Sequence, residues 1–527
     1  MKKIIGFTVA LAITFSLFTG CAVNRPGEAG EVQITGIQLS DDGVMVGGMP
    51  ASADKNADVY VSNDIVFYLE NQGDAYGEGE SDEAHSQAEA DRHTVVNITK
   101  PGHYNITGKL SKGQIAVNLG DDAKDNPDAV VNIILNDADI TCTVAPAIIC
   151  YSAYECGSDD TDSATKDVDT ENAGFNITLA DDSVNIVKGS HVAKIYKPGT
   201  TDKMHKYDAA IESMVSMNIY GDDGFLNLTA DNEGIETKLH MTVNGGTLNI
   251  KSADDALNAG EDGVSVITIN DGTVWADSNE GTEGDGIDSN GWLVINGGTV
   301  NAFGNSDSMD SGLDSDMGIH INGGTVFATG NMYDEISAES RQNFAVFSFA
   351  QPVYDKSVVL KSLADDSLTL LRGSAKGGVM VYSSPQLAEG DYELYFAKGY
   401  TGGGEVGVFT DITAMTDETQ LAHSGAMGGR QQRPVNMPAD DKVHYKGEVP
   451  QEIKDFAPPQ DFDPDMRMPT PDGDFARPFK NGIPQMPEGQ SRPDGFSKGD
   501  TGSASQTVFT IRKGANMFSG IAEYKSE

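Results

Sequence analysis

One phrase returns every 26 residues. Asn244, Asn270, Asn296 and Asn322 are evenly spaced, and each opens Asn-Gly-Gly-Thr or Asn-Asp-Gly-Thr followed by Leu or Val. A fixed period of this kind marks a repeat architecture. The β-branched residues and the density of Gly exclude helical repeats, and a propeller blade needs about 40 residues or more. Three short strands with their corners fit the period. The expected fold is therefore all-β: a right-handed parallel β-helix, a solenoid whose coils stack about 4.8 Å apart.

A second thread runs beside the first. Ile211-Glu212, Ile235-Glu236, Leu257-Asn258, Ile287-Asp288 and Leu313-Asp314 each join an apolar residue to a polar one. Their spacings are 24, 22, 30 and 26, so the Leu257 member slips while the Asn phrase keeps register. Matching the apolar residues is preferred, because strict counting would put Glu261 in the core.

The rest of the 527-residue chain divides by composition. Residues 1–20 read as a lipoprotein signal peptide: Lys2 and Lys3, then an apolar stretch too short to span a bilayer, then Leu-Phe-Thr-Gly before Cys21. Cys21 would carry the lipid, placing an exported protein at a bacterial cell surface. Residues 21–93 read as an N-terminal β segment and acidic loop, and 94–340 as the β-helix. Residues 341–423 keep strand-like runs without the phrase, as terminal coils or a small β cap over the open edge. Residues 424–505 are Pro/Gly-rich and expected to be disordered. Residues 506–527 return as a strand. Cys142, Cys150 and Cys156 remain; a Cys142–Cys156 disulfide and three buried thiols are both open, and no zinc spacing is present.

Charge narrows the chemistry. The net charge of −44 opposes nucleic acid and anionic membranes, so the only membrane contact expected is the lipid anchor. From 207 to 339 there are 24 Asp and Glu against two Lys and no Arg. Stacked carboxylates at about 4.8 Å repel by roughly 3.5 kcal/mol at an effective dielectric near 20. A hard divalent cation would relieve this, and calcium takes six to eight oxygens in flexible geometry. The candidate ligands are Glu233, Glu236, Asp254, Asp255, Asp285, Asp288, Asp310 and Asp314, each at or beside an apolar-acidic pair. The Asn phrase reads as a structural amide stack. Trp275 and Phe327 share a slot with Asn249 and Asn301, which suggests exposed rings for sugar stacking unless loops or the cap cover them. No nucleophile pairs with the scattered His residues, and no catalytic residue is assigned.

The stretches "HTVVNITKPGHYNITGKLSKGQIAVNL", "LADDSVNIVKG", "YDAAIES", "NEGIETK", the repeated "INGGTV" and the late "MFSGI" resemble a family of secreted bacterial carbohydrate-binding β-helix proteins. Its type member is a clostridial protein that binds cellulose and pectin, with a pectate-lyase-like fold and bound calcium. The likeness covers roughly 90–340. It implies calcium at Glu233 and Glu236 in "NEGIET", Asp285 and Asp288 in "GDGIDS", and Asp310 and Asp314 in "DSGLDS". "DDALNA" departs by ending in Asn258. The implied partner is a plant cell-wall polysaccharide.

Two other functions stay open. A pectate-lyase-like polysaccharide lyase would need a base, yet no Arg lies between Arg92 and Arg341, and Lys238 and Lys251 stand alone. Binding is preferred to lysis. A structural surface adhesin is the third reading.

Overall fold

The computed structural model describes residues 33–73, 75–197, 199–200, 202–204, 206–353, 356–374, 377–427 and 505–525. Cys21, the signal peptide and nearly all of 424–505 lie outside them. The described chain is almost all strand, with one α-helical turn at Gln87–Ala90. No helix among the described residues is long and apolar enough to cross a membrane.

One sheet carries the acidic thread. Thr94–Ile98, Gly113–Asn118, Ile148–Ser152, Ala209–Ser213, Glu233–Thr237, Leu257–Ala259 and Ile287–Ser289 lie side by side in parallel, with Val59–Ser62 antiparallel at the outer edge. Ile211, Ile235, Leu257 and Ile287 align in one row with no solvent exposure, and a bridge adds Leu313. The slipped spacing is thus absorbed in the corners, because moving a β-branched side chain off the core row would expose it.

The 26-residue phrase builds the neighbouring faces. Thr247, Thr273, Thr299 and Thr325 pair in sequence, as do Met241, Ile267, Leu293 and Ile319. The Asn side chains form a ladder: Asn270 donates to Asn244, Asn296 to Asn270, and Asn322 to Asn296, each at 2.9 Å.

All-β holds, but the expected right-handed solenoid of separate short strands does not. Val131–Thr141, Phe175–Leu179, Met217–Gly221, His240–Lys251, Phe225–Ala230 and Val184–Gly189 pair in turn and close on themselves as a six-stranded parallel barrel, accompanied by further sheets. The cause is local. His240–Lys251 and Val266–Asp277 run 12 residues each, straight through the phrase, whereas the strands around Asn296 and Asn322 stop on either side of it. Gly246 bends the strand without ending it by taking a φ of 81°, and a Cβ on its neighbour Gly245 would sit 2.1 Å from the Gly221 carbonyl. One strand can then pair on two faces.

Past residue 330 the pairing turns largely antiparallel. Gly377–Ser383 pairs antiparallel with both Thr325–Gly330 and Phe344–Val353, and Ala515–Glu523 lies parallel to the latter. Phe327 is buried with no exposure, edge-on to Phe303 at 6.1 Å. Trp275 is half-buried, 6.5 Å from Phe303, and a Cβ on Gly407 would come within 3.2 Å of its ring. This corrects the expectation of two solvent-facing rings: the antiparallel strands pack over that slot. Cys142 and Cys150 are buried thiols and Cys156 is half-buried, with no disulfide among them; burial pushes Cys142 up to about 12.

Candidate metal centre

The parallel register turns a scattered acidic sequence into an array. Four residues before each member of the polar row come Asp208, Asn232, Asp254, Gly284 and Asp310. Three before come Ala209, Glu233, Asp255, Asp285 and Ser311. The row itself holds Glu212, Glu236, Asn258, Asp288 and Asp314. Each layer carries two carboxyls, and layers lie about 4.8 Å apart.

These groups are not a solvated face. Glu212 has no exposure, and Glu236, Glu233, Asp255 and Asp288 are exposed by 5%, 7%, 7% and 9%. Asp254, Asp285, Asp310 and Asp314 are half-buried. Part of each acid's bonding capacity goes to the fold. Glu212 accepts from the backbone N–H of Asp208 and Ala209 at 3.1 and 3.2 Å. Asp255 accepts from the Asp285 N–H, Asp285 from the Ser311 N–H, and Asp310 from the Gly284 N–H, each at 2.6 Å. Asn258 donates its amide to Glu233 at 3.0 Å.

The remaining oxygens converge. Asp208, Glu233 and Glu236 each offer one oxygen, all within 4.8 Å of one another. Asp208 Oδ1 and Asn258 Oδ1 are buried without a hydrogen-bond partner, and Glu212 Oε1 and Glu236 Oε2 are buried with no partner but each other's carboxyl. Orphaned buried acceptors are rare and costly. An ion bound at 2.3–2.6 Å allows its ligand oxygens at most about 5 Å of separation. The all-oxygen donor set, the spacing and the orphaned acceptors therefore fit a hard divalent cation such as calcium.

Electrostatics points the same way. Burial, then the neighbouring carboxylates, hold Glu212, Glu233, Glu236, Asp255 and Asp285 well above the ordinary carboxyl range. Among the described residues Lys206 answers them directly, and His191 also acts on Asp208. Lys206 Nζ is 2.6 Å from Asp208 Oδ2. Burial disfavours that ammonium, but Asp208, Glu233 and Asp254 together hold its pKa above the usual lysine value. A single ammonium faces four carboxyls at 208, 212, 233 and 236.

Of the eight sequence candidates, Glu233 and Glu236 fall in the tightest cluster. Asp254, Asp255, Asp285 and Asp288 occupy the layers that follow, and Asp310 and Asp314 the last. Sequence reasoning missed Asp208 and Glu212. A signal was present: "DAAIE" sets its acids relative to Ile211 as "DSGLD" does relative to Leu313.

No curated protein matches the chain. A solved structure titled as a polysaccharide lyase-like protein from C. thermocellum, gadolinium derivative, aligns over 56% of this chain and 90% of its own, at 19% identity and a TM-score of 0.30. That score is too low for the likeness to bear on fold or function. Residues 92–351, which hold both the Asn ladder and the whole acidic array, match the model of a family described as carbohydrate-binding domain-containing protein.

Proposed function

We propose that this is an exported, lipid-anchored protein that binds plant cell-wall polysaccharide and keeps calcium in its acidic array. The family match over 92–351 supports the carbohydrate part. The observation that carries the metal part is the buried convergence of Asp208, Glu233 and Glu236 oxygens, with Asp208 Oδ1 left without a partner. Glu233, Glu236 and Asp208 would hold one ion. Asp254, Asp255, Asp285 and Asp288 would hold others, with Asn258 as a neutral ligand between them. Bound calcium would supply the positive charge that the chain lacks, fixing the layers together. Asp310 and Asp314 are half-buried at the last layer, where an ion could be shared with a uronate of pectin.

Lysis is the competing reading. Lys206 stands beside the acids, but its neighbours hold it protonated, which suits a counter-charge rather than a base. Lys238 and Lys251 pair with Glu261 and Glu280 at 3.7 and 3.6 Å. Binding is the better fit.

Retention of the purified protein on pectin, cellulose and xylan, with and without chelator, tests the proposal. Retention on at least one glycan is expected, with chelator weakening the pectin arm. Failure to bind any of them removes the carbohydrate reading. Unsaturated product absorbing in the ultraviolet from polygalacturonate would move the assignment to a lyase.

A further inference from the structure

A groove runs along a different sheet from the acidic array. Its floor is one row of the parallel register, Asn218, Thr242, Thr268, Val294 and His320. One wall is the segment 166–171, fixed to the floor by Thr170. The Thr170 hydroxyl lies 2.7 Å from Asn218 Oδ1 and 2.6 Å from Thr242 Oγ1, and Asn218 Nδ2 donates back to the Thr170 carbonyl at 2.7 Å. The volume is about 950 Å³. That is the upper end of the range typical of ligand sites, about 300–1,000 Å³.

The lining selects the occupant. The Asn ladder borders the groove, and Asn270, Asn296 and Asn322 each spend one amide N–H on the preceding rung. An amide carries a second N–H and a second carbonyl lone pair. Asn270 and Asn296 are exposed, and Thr268 is half-exposed on the floor. Donors and acceptors therefore recur once per layer, about every 4.8 Å. A ligand that repeats along its length and offers hydroxyls at each step matches such a track. Charge separates neutral from acidic sugars. Lys166 is bound to Asp167 at 2.7 Å, and Arg341 shares the rim with Glu339, Asp169 and Glu171. Two cations against four carboxylates leave the groove net negative, which disfavours a uronate. None of the partnerless buried carboxylate oxygens of the array lies here.

Resting on the carbohydrate-binding reading, we propose that this groove binds a neutral linear polysaccharide segment along the asparagine ladder, without metal. The chain then has two glycan-facing regions of different chemistry. The test uses the full mature chain, at a temperature where circular dichroism shows it folded in chelator. Calorimetric titration with cellohexaose, xylohexaose and mannohexaose should detect binding of at least one, unchanged by EDTA. The variant Asn270→Ala/Asn296→Ala should weaken that binding at least tenfold. Amide hydrogen exchange on the unmutated chain provides a second reading: the bound hexaose should slow exchange in 166–171 and 242–246. Unchanged affinity in the variant, loss of binding in EDTA, or protection mapping to 285–314 instead would overturn the groove while leaving carbohydrate binding standing. If no glycan, neutral or acidic, binds at all, the broader reading falls with it.

Discussion

Replacing Glu236 by Gln perturbs the acidic array in opposite directions in two solvents. Glu236 is 5% exposed, and the carboxyl of Glu212 is the one group that meets its Oε2. Its ligand oxygen stands within 4.8 Å of those of Asp208 and Glu233. At that separation two unit charges repel by about 3.5 kcal/mol at an effective dielectric near 20. In chelator the amide keeps the side chain's volume and removes the repulsion, so Glu236→Gln should raise the melting temperature. For domains of 150–250 residues roughly 1 kcal/mol moves Tm by 2–4 °C. The full term would give roughly 7–14 °C, and protonation of the crowded acids takes up part of it, leaving several degrees. In millimolar calcium the order reverses. An ion at a hundredfold excess over its Kd stabilises the wild type by about 2.7 kcal/mol, and a variant short of one anionic ligand loses most of that. Scanning calorimetry of both proteins in EDTA and in calcium yields the four melts needed. If the wild type melts at one temperature in both solvents, or the substitution shifts both melts equally and in the same direction, the account of the array is refuted.

Three further outcomes follow from the same geometry. In chelator, stability should fall as pH rises: the raised carboxyls of Glu212, Glu233, Glu236, Asp255 and Asp285 bind more protons folded than unfolded, so the slope is negative above about pH 4. Their contribution is fully present below the unfolded pKa and is lost through the folded one, so the gap between calcium and EDTA urea midpoints should widen as pH rises above the ordinary carboxyl range. Burial disfavours charged His191, but Asp231 and Glu83 outweigh it and hold the ring up at about 9; its contribution also fades as pH rises through that value. Lys206→Met removes the ammonium that faces Asp208; because the side chain is 39% exposed, about 1–2 kcal/mol of stability should be lost in chelator, while calorimetric titration should show tighter calcium binding. Phe327→Ala should cost about 3–5 kcal/mol in urea unfolding, through lost packing against Phe303 and the antiparallel strands, and leave glycan retention per folded molecule unchanged.

The sequence was most legible where a side chain had only one acceptable place. Ile235, Leu257 and Ile287 could be aligned against the strict count because burying Glu261 instead would strand a charge, and the structure uses that alignment. The Asn ladder was readable because identical amides at a fixed period can bond to one another. The route of the backbone through Asn244-Gly245-Gly246 was not. Glycine next to asparagine signals a turn, but whether a strand stops there or bends through depends on the carbonyl of Gly221 approaching from the next layer. The covering of Phe327 and Trp275 was equally hidden, since Gly377–Ser383 and Gly407 lie more than 45 residues away in the chain. The same limit applied to the groove: nothing near Thr170 in sequence points to Asn218 or Thr242.

The arrangement of the array separates a counter-ion site from an acidic surface made for solubility. A surface selected only for charge would place its acids where water can reach them, and would have no reason to hold their number constant. Here the five layers carry two carboxyls each, while the neutral place shifts from Ala209 to Asn232, Asn258, Gly284 and Ser311. Identity varies, position varies, and the number of carboxyls per layer does not. Near the first layer an ammonium from Lys206 offsets one unit of that charge. Beyond it, Asp285 is pushed up by burial and by Asp314 and Asp288. Once ionised, two carboxyls per layer withdrawn from water would match one divalent ion. The stoichiometry of calcium uptake is therefore a sharper discriminator than affinity: more than one ion per chain, released together with a rise in the bound-proton count on chelation, is what a regular column demands, and a single ion at Asp208, Glu233 and Glu236 would confine the metal to the first two layers.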